Sequence, residues 1–359
     1  KFLTYMGHFW NTWAVWRNVV IVLTSFNRTW FTQNVINHRG ELHGRITTYF
    51  YLKPLSLLET EEYLKSRNIN FPRYQITQLY MAFGGIPLYL EAVEGRKSAI
   101  QNINDICFEE QGLLRNEFNR LYPALFDNAD LHIAVVRALA KKNIGMSRTE
   151  IIKEGKLPNG SSTTKILEEL EQTGFIMAYH PFGKKKKNKI YRLIDEYSLF
   201  YLKFIEQTQY EGEGTFVQLS QLQSYKIWCG YAFEGICMKH VPQIKEALGV
   251  GGVYTNTYSY LRKGNEEEKG LQIDMLLERA DKVIHLFEIK FYGTEFPYLE
   301  SFADKMRERM HLFMRLTKTK HHVRTTMITT FGLTQPAHRY WLDDLVLTLE
   351  DLFQPLKQR

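Results

Sequence analysis

The chain has 359 residues, 44% of them hydrophobic and 14% aromatic, which is more than one compact core accommodates and enough for two or three. Its formal charge of +7 points to a polyanionic partner such as nucleic acid and says nothing about fold. Cys107, Cys229 and Cys237 are scattered, without CxxC or Cys/His spacing, so neither a disulfide framework nor a zinc site is indicated and a cytoplasmic location is expected.

Residues 1–52 read as a helix carrying Phe9, Trp10, Trp13 and Trp16, then the apolar strand "VVIVLTS", a polar helix and "RITTYFYL". Such apolar runs suit a parallel sheet buried on both faces, so this part belongs to an α/β domain. The three tryptophans have helical spacing and are expected in a core or a domain interface. "WAVWRNVVIVLTSF" is split by Arg17 and falls short of the roughly 20 residues that cross a bilayer, so no membrane span or signal peptide is expected. The chain opens on Lys1 in mid-pattern, which is expected of a fragment.

From Pro54 to about Arg120 the signals are helical. "LSLLETEEYLKSR" carries Leu and Tyr at helical spacing, Pro72 breaks the pattern, and "QITQLYMAFGGIPLYLEAV" resumes it around a Gly-Gly-Ile-Pro interruption. From Leu131 the chain reads as short helices followed by a hairpin. "LHIAVVRALAK" is the first helix. "SRTEIIKEG" opens with Ser147 and Glu150 at capping-box spacing and closes on Gly155, and "SSTTKILEELEQTG" stops at Gly174. "FIMAYH", the basic turn "GKKKKNK" and "IYRLI" complete a winged helix. An aromatic helix with Phe200, Tyr201 and Phe204 leads to a boundary near 210–223, beyond which helices and strands alternate.

The stretch "LQIDMLLERADKVIHLFEIKFYG", residues 271–293, carries the chemistry. A three-residue connection at Ala280, Asp281 and Lys282 sets Arg279 opposite Val283 and, counting outward, Asp274 opposite Glu288. Their Cβ atoms are then expected about 4.5–5.5 Å apart. Carboxylates that close repel by about 3 kcal/mol at an effective dielectric near 20, and therefore need a compensating cation. Lys290 supplies part of it, and a hard ion such as Mg²⁺ or Mn²⁺ supplies it better. The alternative is an exposed sheet face on which Lys290 bridges two structural acids.

Asp, thirteen residues, then Glu-Ile-Lys, with Glu234 on a preceding helix, resembles the PD-(D/E)XK nuclease superfamily. The resemblance implies Asp274 and Glu288 as metal ligands, Ile289 as a main-chain carbonyl donor, Lys290 as the catalytic lysine and Glu234 as the helical acid. The residue before Asp274 is Ile273, where the pattern has proline. More widely, "FWNTWA", "NHRGELHGRIT", "FGGIPLYLEAV", "YRLIDEYSLFYLKFIE", "YAFEGICMKH" and "LTLEDLF" resemble the archaeal-type ATPase family. That implies an α/β multidomain chain. A truncated P-loop NTPase core would occupy 1–52, a helical lid 53–125, a winged helix 126–206, and a restriction-endonuclease-like domain 207–359.

One departure bears on activity. No GxxxxGK[ST] occurs, so the loop that wraps phosphates is missing and ATP is expected only in a full-length protein. Residues 25–30 read "SFNRTW" where the family carries "GSATSW". Arg45 aligns with the family's arginine in "LHNR", implying a nucleotide-phosphate contact, with a helix-capping or inter-strand role as the alternative. Lys184, Lys185, Lys186, Lys187 and Lys189 place five positive charges on the wing, suited to non-specific phosphate contact. Against that, Glu168, Glu169 and Glu171 on the recognition helix repel a major groove. Two functions follow as expectations. One is a metal-dependent nuclease acting on DNA. The other is a catalytically silent module for a protein partner or a second copy, switched by ATP in the full-length chain.

Overall fold

The computed structural model describes all residues except 26, 27, 38–41, 184–188, 209–213, 265–268, 335–344 and 357–359, and only the backbone of 28, 29 and 33. The N-terminal part holds α1 (Phe2–Thr12), a tight turn at Ala14–Trp16, and α2 (Arg28–Phe31) running into a wider turn at Thr32–Ile36. The two expected strands do not form. Residues 17–25 and 46–53 carry no ladder among the described residues, and Val20 and Leu52 are 90% and 88% exposed. A run that is apolar on both faces needs neighbours on both edges, and among the described residues no strand lies beside these. The tryptophan expectation also fails, since Trp16 is 81% exposed.

The next part is helical: α3 (Leu57–Ser66), α4 (Arg73–Phe83), α5 (Pro87–Glu91), α6 (Ala99–Cys107) and α7 (Glu117–Leu125). Ser56 with Glu59 and Ser98 with Gln101 close capping boxes at α3 and α6, each satisfying two otherwise orphaned N–H groups. The Gly-Gly-Ile-Pro break is a close crossing of two chain segments. Gly84 ends α4 at φ +64°, and Leu55 N donates to Gly85 O at 2.7 Å. A Cβ on Gly85 would sit 1.9 Å from Leu55 O.

Then come α8 (Ala129–Ala140), β1 (Met146–Ser147), α9 (Arg148–Glu154), α10 (Ser161–Gln172), β2 (Ile176–Tyr179) and β3 (Ile190–Leu193). The strands form an antiparallel sheet in the order β1-β3-β2. Ser147 and Glu150 close the capping box read from their spacing, and Gly174, at φ +83°, follows the end of α10. In α11 (Glu196–Phe200) and the turn after it, Phe200, Tyr201 and Phe204 are buried.

The C-terminal part is an α/β sandwich. It comprises α12 (Thr215–Leu219), α13 (Gln223–Lys239), α14 (Val241–Ala247), β4 (Thr255–Arg262), β5 (Leu271–Arg279), β6 (Val283–Lys290), α15 (Glu300–Thr317), β7 (His322–Thr329), β8 (Leu345–Thr348) and α16 (Leu349–Leu352). Its strands lie in the order β4-β5-β6-β7-β8, with β4, β5 and β6 antiparallel and β6, β7 and β8 parallel. The β6–β7 pair is parallel and therefore needs a crossover, which α15 provides. Phe287 and Leu277 pack in the cluster that contains Phe233 of α13, whereas Leu286 and Leu276 pack with Phe313 of α15. Helices thus cover both faces, which is why β6 carries apolar residues on each of them, Leu286 on one and Phe287 on the other.

One apolar cluster extends from Leu57 through Phe118, Tyr197 and Phe233 to Phe353, so the helical part, the small sheet and one face of the large sheet share a core. Polar links cross the same boundaries. Arg73 bridges Glu61, at 3.0 Å, and Glu350. Lys239 of α13 holds the buried Glu196 of α11 at 2.7 Å, and Tyr74 stacks on Phe291 with centroids 5.1 Å apart. Among the described residues no helix is long and apolar enough to cross a membrane.

Candidate functional site

The β5–β6 hairpin turns where counting places it. β5 ends at Arg279 and β6 begins at Val283, and Lys282 takes the left-handed conformation at φ +64° that a three-residue hairpin loop requires at its last position. Leu276 pairs with Leu286, Leu277 with His285 and Glu278 with Ile284, so the register carried outward sets Asp274 against Glu288. The ladder, however, covers only those three pairs, and the two acids lie beyond its end.

Regular alternation also fails in β5. Tyr258 pairs with Leu276 but Tyr260 with Ile273, so β5 spends three residues where β4 spends two. This bulge puts Ile273 and Leu276 on one face, against α15, with Met275 on the other. Bulges of this kind re-aim side chains where pairing ends, and Asp274 lies within it.

Where β5 and β6 part, a cleft of about 350 Å³ opens, lined by Glu234, Asp274, Phe287, Glu288, Ile289, Lys290 and Arg309. All five positions read from the Asp…Glu-Ile-Lys pattern and its helical acid therefore reach one cavity. Glu288 is 9% exposed and carries two cations, Lys290 Nζ at 2.8 Å and Arg309 Nη1 at 2.5 Å. The second guanidinium nitrogen of Arg309 donates to Gln272 O at 2.7 Å, and the Gln272 amide donates to Asp274 Oδ1 at 2.7 Å. Among the described residues no three His, Cys, Asp or Glu side chains are gathered to hold a metal ion. The charge that compensates Glu288 comes from Arg309 and Lys290.

Glu234, on α13, lies 3.5 Å from Arg192 Nη2 of β3. Burial pushes its carboxyl up to about 7, and the negative charge of Asp274 adds to the effect, against the pull of Arg192 and Lys290. A carboxyl that exchanges a proton near neutrality beside an open polar cleft is suited to proton transfer or to ion binding coupled to proton release.

The segment that follows β2 packs against β4 and α15. Phe182 N donates to Ser259 O of β4 at 2.9 Å, and Phe182 packs on Tyr258 and Phe313. Lys189 sits 3.9 Å from Glu171, so that lysine is partly neutralised by α10. Lys184, Lys185, Lys186 and Lys187 lie outside the described residues. Arg45 donates to Asn11 Oδ1 at 2.8 Å and does not line the cleft.

Two charged residues of the site escape a reading based on motifs. Arg309 falls three residues after the buried Met306 and four before the buried Phe313, placing a cation on the inward stripe of α15 where it needs a partner. Arg192 interrupts an otherwise apolar strand end and is itself buried. Each position carries a signal, but neither names its partner.

No family model matches the chain, and no curated protein matches it. Among solved structures it is similar to the crystal structure of protein VC1899 from Vibrio cholerae, at 12% identity and a TM-score of 0.28 over 84% of this chain. The chain spans 59% of the length of that protein, a likeness too loose to inform the fold or the chemistry.

Proposed function

We propose that the C-terminal sandwich is a metal-dependent phosphodiesterase of nuclease type acting on nucleic acid. In this reading the chain is part of a larger ATPase-like protein built from a helical lid, a winged helix and this domain. The observation that carries the reading is the meeting of Glu234, Asp274, Glu288, Ile289 and Lys290 in one cleft at the end of the β5–β6 ladder.

Two carboxylates and the carbonyl of Ile289 form the oxygen-rich donor set that suits Mg²⁺ or Mn²⁺. Bound there, the ion would polarise a phosphoryl oxygen and lower the pKa of a water. Asp274 and Glu288 would hold it, Lys290 would orient the attacking water and stabilise charge on the phosphoryl group, and Glu234 would exchange protons at the cleft wall. The test is cleavage of plasmid and single-stranded DNA with Mg²⁺ or Mn²⁺. Glu288→Ala and Lys290→Ala should each lower the rate at least about a hundredfold, the scale of a lost acid–base or electrostatic group. Unchanged rates would remove the assigned roles.

A second reading is a catalytically silent module that binds a protein partner under ATP control of the full-length chain. What favours it is the full neutralisation of Glu288 by Arg309 and Lys290, which leaves that carboxylate no need of a metal. Calorimetric titration with Mn²⁺ separates the two, because the silent module predicts no uptake that depends on Glu288.

A further inference from the structure

Arg309 stands where the sheet has come apart. Beyond Leu276 and Leu286 the β5–β6 ladder ends, and the next links between the strands run through a side chain from α15. One guanidinium nitrogen is on Glu288 of β6 and the other on the main-chain oxygen of Gln272 of β5. Gln272 in turn holds Asp274. The guanidinium therefore spans the gap between the strands that carry the two acids and sits against one of them. Glu288 retains Lys290 as a second cation, so the loss of Arg309 would not leave it bare. Arg309 is also 32% exposed at its side chain and lines the open cleft, which gives it somewhere to go.

We infer that Arg309 is a resident counter-ion of the cleft, which a divalent ion must displace from Glu288 to bind. The inference rests on the metal-site reading above. Arg309 is on Glu288 Oε2 while Lys290 holds Oε1, so a divalent ion at this carboxylate is repelled by the guanidinium beside it, and each binds at the expense of the other. Arg309 thus lowers the affinity of the site for ions and holds the strands in place while no ion is bound. An arginine with a purely structural role would behave in the opposite way, because its loss would loosen β5 against β6 and weaken any ion site formed between them.

The experiment is calorimetric titration of the whole chain with Mn²⁺ alone, for wild type, Arg309→Met, Arg309→Lys and Glu288→Gln. It is paired with arginine-specific dicarbonyl labelling mapped by mass spectrometry. Arg309→Met should bind Mn²⁺ about tenfold to a hundredfold more tightly than wild type, the range set by losing one charge-assisted hydrogen bond. Arg309→Lys should fall between them, because one ammonium cannot serve both Glu288 and Gln272. In wild type, saturating Mn²⁺ should increase labelling of Arg309. Equal or weaker binding by Arg309→Met, with wild type still binding through Glu288, overturns the inference and leaves the metal site standing. Absence of binding in every variant, or binding that survives Glu288→Gln, overturns both. Should Arg309→Met fail to fold, Arg309→Lys and the labelling decide, and labelling indifferent to Mn²⁺ counts against displacement.

Discussion

Arg192 of the small sheet and Glu234 of α13 in the C-terminal part meet 3.5 Å apart, and Arg192 Nη1 also donates to Met238 Sδ at 3.1 Å. The pair is nearly enclosed, with side-chain exposures of 7% and 16%. Breaking such a pair costs far more than its net worth, because one charge is left buried and alone.

The cost should depend on pH. Glu234 titrates near 7 in the folded chain against 4.5 when unperturbed. The folded state therefore binds more protons between those values, and this group's contribution to stability falls as pH rises through that window. Arg192→Met removes a cation that favours the ionised form and so extends the loss to higher pH. Denaturant unfolding should show Arg192→Met losing about 2–4 kcal/mol at pH 8.5 and clearly less at pH 5.5, with Glu234→Gln restoring most of the loss at the higher pH. Equal losses at the two pH values would show that packing, not charge, joins the two parts.

Two glycines separate steric need from mere tolerance. Gly85 has Leu55 O where its Cβ would be, at 1.9 Å, whereas a Cβ on Gly230, in the middle of α13, would meet nothing within 4 Å. Gly85→Ala should cost about 3 kcal/mol or more, since the obstacle is main chain that cannot rotate aside. Gly230→Ala should instead gain about 0.5–1 kcal/mol through helix propensity. Thermal unfolding of the two variants beside wild type measures both, and a neutral Gly85→Ala would mean that the crossing of Leu55 and Gly85 opens readily.

What could be read in advance was local. The hairpin turn at Ala280–Lys282, the Ser147–Glu150 capping box and the stop at Gly174 each depend on residues within a few positions of one another, and each is where the pattern puts it. The bulge in β5 was not legible, because nothing in "LQIDMLL" departs from an ordinary strand, and the extra residue shows only against β4. Arg309 and Arg192 reach partners 21 and 42 positions away, so their roles depend on the tertiary fold. The strands expected at 19–25 and 45–52, which do not form, make the complementary point. An apolar β-branched run states a preference, and without a neighbouring strand to pair with, the preference has nothing to act on.

His240 offers a separate probe of how the helical part is held to the C-terminal part. It is 2% exposed at the end of α13. Its Nδ1 donates to Ile236 O at 2.8 Å, which leaves Nε2 to accept from the main-chain N–H of Leu57 at 3.1 Å. Leu57 is the first residue of α3, so a neutral imidazole satisfies a helix N–H that has no partner within its own helix. Protonation would set two donors against each other in a buried place, and burial accordingly pushes the ring down to about 4, from 6.5 when unperturbed. Between these values the unfolded chain binds the proton and the folded chain does not. The stabilisation is therefore complete above 6.5 and is lost progressively as pH falls toward 4. A shift of that size corresponds to about 3 kcal/mol. His240→Gln, which keeps an uncharged acceptor, should be less stable than wild type at pH 7.5 and should lose less on acidification. Some slope should remain from His285, which burial and Arg279 also push down to about 4. Urea midpoints at pH 4.5, 5.5, 6.5 and 7.5 give the comparison. If the two proteins lose stability in parallel across that range, His240 does not carry the acid sensitivity assigned to it.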